Sequence, residues 1–133
     1  MRVSILKQYS IFMANRPGSL AKLTSLFADA EVNIVGIASE VRDDSGLVRM
    51  AVEGEGDTSG ILSRAGFASV ESRLLSVEAE DTPGKLAEIS TRLADGGVNI
   101  TTVYGTAMGA QVSRILIAVE NTDDAFKILD SGE

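Results

Sequence analysis

The stretch from Asn15 to Ile34, NRPGSLAKLTSLFADAEVNI, returns as Asp81 to Ile100, DTPGKLAEISTRLADGGVNI, at a constant offset of 66 positions between Asn33 and Asn99. Both copies keep Pro-Gly near the start and Val-Asn-Ile at the end, far more agreement than average residue usage would leave. The chain is therefore read as two copies of one unit. Within each copy the hydrophobic period changes. Tyr9, Ile11 and Met13, answered by Leu75, Val77 and Ala79, alternate as in a strand with one buried face. Leu20, Leu23, Phe27 and Ala30, answered by Leu86, Ile89, Leu93 and Gly96, recur at helical spacing, with Lys22, Asp29, Glu88 and Asp95 toward solvent.

β-branched segments from Val32 to Val41 and from Val98 to Met108 predict second strands. They turn at RDDSG and GAQ into third strands, Leu47 to Glu53 and Ser113 to Glu120, and short helices follow near Thr58 to Arg64 and Asp123 to Leu129. In the first copy FASVESRLLSVEAE resumes extended structure, which gives the order βαββαβ. The second copy reaches Glu133 without a last strand, but the same offset sets MRVSIL opposite FASVES. The expected fold is α+β: two tandem ferredoxin-like βαββαβ modules, with antiparallel sheets, helices on one face, and the N-terminal strand completing the second module. The modules divide as residues 1–72 and 73–133, with residues 1–8 shared with the second module's sheet. Val3 and Ile5 fall on odd positions and Ala68 and Val70 on even ones, so a bulge is expected in one of the two long strands.

At 133 residues, with 44% hydrophobic and 23% charged residues, the chain has the composition of a folded protein holding two small units. Cysteine and histidine are both absent, which excludes disulfides, thiolate nucleophiles, imidazole bases and the common zinc and copper sites. A net charge of −7 with no basic cluster and no tryptophan speaks against a nucleic-acid partner. No apolar run is long enough to span a bilayer, and the N-terminus lacks signal-peptide features, so a cytoplasmic protein without a membrane partner is expected.

The repeated phrase has a physical use. Proline fixes φ and lacks an N–H, which suits the first helical turn, and Pro17 and Pro83 are expected there. Gly18 and Gly84 allow a tight turn and a close approach to the backbone. The amides that follow, at Ser19 and Leu20 or Lys85 and Leu86, have no intrahelical acceptor, and the helix dipole adds partial positive charge, so a carboxylate suits them. Asn33 and Asn99 open the second strand, where asparagine is disfavoured, and alternation turns both amides away from the helix-facing core. Each offers donors and acceptors to both charged ends of an amino acid. Plainer uses stay open: Asn15, Asp81 or Thr82 as helix caps, and Asn33 and Asn99 as closers of the helix-to-strand turn.

NRPGSL and DTPGKL, the amphipathic helix, and then EVNI and GVNI resemble the ACT domain family of small-molecule regulatory modules over nearly the whole chain. Among its members the chain is most similar to free-standing tandem ACT proteins without a catalytic domain. The resemblance implies a ferredoxin-like fold, pairing between modules, and an amino acid bound at an interface between them. It also implies ligand contacts from Asn15, Arg16, Pro17 and Gly18 with Asn33, and from Asp81, Thr82, Pro83 and Gly84 with Asn99. Serine-binding members carry a histidine where this chain has Met13 and Ala79. Asp81 in place of Asn15 would favour a ligand ammonium and repel its carboxylate, so the two sites need not be equivalent.

The leading expectation is an amino-acid-binding regulatory protein, with no catalytic residue, cofactor or metal, acting on a separate metabolic enzyme or regulator. An enzyme would need carboxylates such as Asp43, Asp44, Glu53, Glu55 or Asp57, all in turn-like segments. A structural assembly protein that retains the fold without a ligand is the alternative. ILIAV, Ile115 to Val119, is apolar on both faces, and Phe12, Val35, Ile37 and Val103 are expected on the sheet's second face. A homodimer or larger assembly is expected to cover that face or extend the sheet.

Overall fold

The computed structural model describes residues 1–54 and 56–130; Glu55, one of the carboxylate candidates, lies outside the described residues. The element order is β1 (Arg2–Ala14), α1 (Ser19–Asp29), β2 (Asn33–Arg42), β3 (Ser45–Glu53), α2 (Thr58–Arg64), β4 (Ala68–Glu80), α3 (Lys85–Asp95), β5 (Ile100–Gly109), β6 (Val112–Val119) and α4 (Thr122–Asp130). The chain forms two compact units, Lys7–Ser72, and Met1–Leu6 with Arg73–Glu133. β1 and β4, each 13 residues long, contribute residues to both units.

In the Lys7–Ser72 unit the strand order is β2-β3-β1-β4, with β3 antiparallel to both β1 and β2. Alternation sends Tyr9 and Ile11 of β1 and Val48, Met50 and Val52 of β3 to one face, where Leu23 and Phe27 of α1 and Leu62 of α2 close the core. Leu23 and Phe27 are fully buried, each worth about 1.5–3 kcal/mol of transfer free energy. The other unit has the order β1-β4-β6-β5. Leu75, Val77, Ile115 and Ile117 meet Ile89 and Leu93 of α3 and Ala125 and Leu129 of α4. Val3 and Ile5 pack against this cluster, so the N-terminal strand completes the second module, as the offset implied.

The expected bulge in a long strand is replaced by irregularities in the outer strands. The Tyr9 hydroxyl donates to Glu71 Oε1 at 2.9 Å, so the odd positions of β4 face the helices at Glu71 as they do at Leu75, Val77 and Ala79. Val70 lies on the other face, 57% exposed. Register shifts occur instead in the outer strands, between Ile34 and Gly36 in β2 and, in β5, between Ile100 and Thr102 and again between Ala107 and Gly109. Each inserts one residue and reverses the alternation beyond it. Ile37 therefore stands opposite core Met50, and Val103 opposite core Ile117. Both lie on the helix side of their strands, not the second face expected for them. ILIAV also differs from expectation: Leu116 and Ala118 face away from the helices yet are buried within the single chain.

Candidate functional site

The Pro-Gly phrase forms a type II turn. Gly18 has φ 87° and ψ −12°, Gly84 has φ 93° and ψ −8°, and the Ser19 and Lys85 amides donate to the Arg16 and Thr82 carbonyls at 3.2 and 3.4 Å. Proline at the second position and glycine at the third are what this turn demands. The same glycines are the helix N-caps, so Pro17 and Pro83 sit one residue before the cap and not inside the first turn.

The capping use of the preceding residues is not realised, since neither helix has a side-chain cap hydrogen bond. Asn15 is instead latched to its own β2–β3 hairpin: its amide N–H donates to the Asp44 carbonyl at 2.8 Å and its Nδ2 to the Asp43 carbonyl at 2.9 Å. The Asp81 amide makes the matching bond to the Gln111 carbonyl at 2.7 Å. The first intrahelical bonds run from Lys22 N–H to Gly18 O and from Glu88 N–H to Gly84 O. The amides of Leu20 and Ala21, and of Leu86 and Ala87, precede them and face outward from the helix ends. Leu20 and Leu86 are 44% and 47% exposed, so the core-facing stripe begins one turn later than the spacing implied.

Asn33 and Asn99 are exposed and, within their own units, do not join these loops. Ala14, which leads into the turn, stands opposite Ser45 in β3, as does Arg42 at the far end of β2, whereas Asn33 stands opposite Glu53. The loop and the asparagine thus occupy opposite ends of the strands, on the order of 25 Å apart. Asn99 precedes β5, accepts the Glu120 amide at 3.2 Å and donates from Nδ2 to Glu120 Oε1 at 3.4 Å. The reason is the βαβ connection: a helix that starts at one end of a strand delivers the chain to the other end before the next parallel strand begins.

Beside the first loop lies a cleft of about 250 Å³, lined by Met13, Arg16, Ser19, Lys22 and Phe67 among others. Lys22 Nζ sits 5.5 Å from the centroid of the Phe67 ring. Lys22 is exposed, as its helical spacing implied, and also reaches the cleft; Phe67 was not among the expected site residues, and the signal available was the exchange of Lys22 for Glu88 between copies. In the second unit the corresponding residues are Thr82 and Glu88, and Glu88 pairs with Lys85 at 3.5 Å. Of the carboxylate candidates, Asp57 caps α2 by accepting the Gly60 amide at 3.0 Å, while Asp43 and Asp44 form the hairpin turn. A further polar contact lies within the first core, where burial pushes the Tyr9 hydroxyl up to about 12 and Glu71 pushes the same way.

Each unit opens its first helix behind a Pro-Gly turn within a tandem ferredoxin-like α+β fold. The chain belongs to the ACT domain pair family, whose profile matches residues 4–130. Protein BT0572 from Bacteroides thetaiotaomicron is similar in structure at a TM-score of 0.85 and 26% identity, over 97% of this chain and 89% of that one. The ligand-free regulatory subunit of aspartate kinase from Thermus thermophilus matches at 0.68 and 16% identity, over 97% and 95%. Aspartate kinase from Synechocystis matches at 0.65 and 21%, over 97% of this chain but 26% of that one. No curated protein matches in sequence.

Proposed function

We propose that the protein is an amino-acid sensor: a pair of ACT modules that binds a small amino acid or related carboxylate at its helix N-terminal loops and passes the binding state to a separate cytoplasmic enzyme or regulator. The observation that carries this is the open amides of Leu20, Ala21, Leu86 and Ala87 behind glycines with free space around them, since a Cβ added at Gly18 or Gly84 would meet nothing within 4 Å. Family membership supports a regulatory role, and the pair covers 95% of a chain described as a regulatory subunit. The proposed contacts are Asn15, Arg16, Pro17, Gly18, Ser19 and Leu20 in one loop and Asp81, Thr82, Pro83, Gly84, Lys85 and Leu86 in the other. Asn33 and Asn99 join from a neighbouring module.

A second copy of the chain supplies that neighbour. Among the described residues β2 and β5 each pair with a single strand, and they expose Ile37 and Val41, or Val103 and Met108, while the adjoining helices expose Leu20 and Leu86. Antiparallel pairing of two β2 strands about a twofold axis sets Asn33 of one copy beside Arg42 of the other, at the end where the loop lies. Melting the protein with each common amino acid tests the binding, because a ligand at a hundredfold its dissociation constant adds about 2.7 kcal/mol. No shift with any of them leaves the ligand-free assembly role standing. Light scattering tests the dimer, and a monomer at high micromolar concentration contradicts it.

A further inference from the structure

The two copies of the loop differ in charge more than in shape. At an offset of 66, Arg16 is answered by Thr82, Ser19 by Lys85 and Lys22 by Glu88. The turn itself is the same in both, with the glycines at φ 87° and 93° and each preceding residue bound to its hairpin. What has changed is therefore the environment presented to a ligand. In the first unit Arg16 and Lys22 both line the cleft, and among the described residues neither has a carboxylate partner. The first turn of α1 holds no acidic residue. Lys22 is exposed, and its ammonium lies 5.5 Å from the centroid of the Phe67 ring, with both residues lining the cleft. In the second unit Lys85, which answers Ser19, pairs with Glu88 on the same turn at 3.5 Å, and Asp81 answers Asn15.

We infer that the cleft bounded by Arg16, Lys22 and Phe67 takes a doubly anionic ligand, a short dicarboxylate or an acidic amino acid, and that the corresponding loop of the second unit does not. The inference rests on the sensor reading above and narrows its ligand class and its stoichiometry. The Arg16 and Lys22 heads meet the ligand's carboxylates within the cleft, whose lining also includes Ser19. Two exposed cations without carboxylate partners, lining one cleft of about 250 Å³, favour a ligand that carries more than one negative charge. That volume, just below the usual range for small-molecule pockets, has room for an acid of four or five carbons.

Isothermal titration of the full chain with L-aspartate, L-glutamate and succinate, against L-asparagine and L-glutamine, tests this. The acids are expected to bind at one site per chain, at least about tenfold tighter than the amides, as loss of a charge-assisted hydrogen bond implies. Arg16→Gln and Lys22→Gln should each weaken acid binding by about tenfold without moving the melting temperature of the free protein, while Glu88→Gln leaves the affinity unchanged. Amide resonances of Ser19 to Ala21 should shift on binding and those of Lys85 to Ala87 should not. Equal or tighter binding of the amides, or acid binding indifferent to both cation variants, overturns the charge assignment while the sensor reading stands. Absence of binding by every common amino acid and by succinate overturns both.

Discussion

The side chain of Asn15 donates from Nδ2 to the carbonyl of Asp43 at 2.9 Å, tying the loop that opens α1 to the β2–β3 hairpin of the same unit. Asn15 therefore acts through its amide, and aspartate, which stands in the second copy, cannot make this bond. Asn15→Asp and Asn15→Ala are both expected to lower stability by about 0.5–1.5 kcal/mol, measured by urea unfolding. An unchanged midpoint for both would mean that the backbone bond to Asp44 alone holds the loop.

Ala110 and Gln111 join β5 to β6 with φ of 52° and 61°. Left-handed backbone at both positions of a two-residue hairpin is a type I′ turn, which favours Asn-Gly and strains residues with a Cβ. Changing Ala110→Asn together with Gln111→Gly should stabilise the protein by about 1 kcal/mol or more, seen as a higher melting temperature. The bond from Asp81 uses the Gln111 carbonyl and survives the change.

The Tyr9 hydroxyl should make stability fall in alkali. Its folded value of about 12 exceeds the ordinary 10.0, chiefly because burial disfavours the phenolate and secondarily because Glu71 accepts a hydrogen bond from the protonated hydroxyl and repels the phenolate. A group whose value is raised by folding contributes its full stability below pH 10 and loses it as pH rises toward 12. Tyr9→Phe should cost about 1 kcal/mol at neutral pH and show a shallower decline over that window. Parallel declines in the two proteins would assign the alkaline loss to other groups.

Removal of Met1 to Leu6 should weaken the unit that contains Arg73–Glu133, because Val3 and Ile5 pack against its core and Arg2 pairs with Glu78 at 3.5 Å. Hydrogen exchange is expected to quicken first in β6 and α4, while β3 and α1 keep more of their protection. Uniform loss across both units would show that they unfold as one cooperative body.

The proposed sensory role of the asparagines is open to direct test. Asn33→Ala and Asn99→Ala should each weaken amino-acid binding at the site they serve by roughly 1–3 kcal/mol, with little change in the melting temperature of the free protein. Asn99 already bonds Glu120 within its own unit, so unchanged affinity with a clearly lower melting temperature would make it a turn residue only.

Local features of this protein were set by the sequence itself. The Pro-Gly turn, the switch from period two at Tyr9 and Ile11 to period 3.6 at Leu23 and Phe27, and the offset that returns the first strand to the second module all follow from spacing along the chain. The outer strands were not legible in the same way. The bulges near Val35 and Thr101 reverse the alternation after them, and a one-residue insertion in pairing depends on the partner strand and leaves no mark in composition. The proposed ligand site was legible only in part. Adjacent letters revealed the open amides after Gly18 and Gly84, but the hairpin that holds Asn15, the Phe67 ring beneath Lys22, and the strand length separating Asn33 from its loop are decided by contacts between residues distant in sequence. Such contacts exist only once the sheet has formed and its two ends have been told apart.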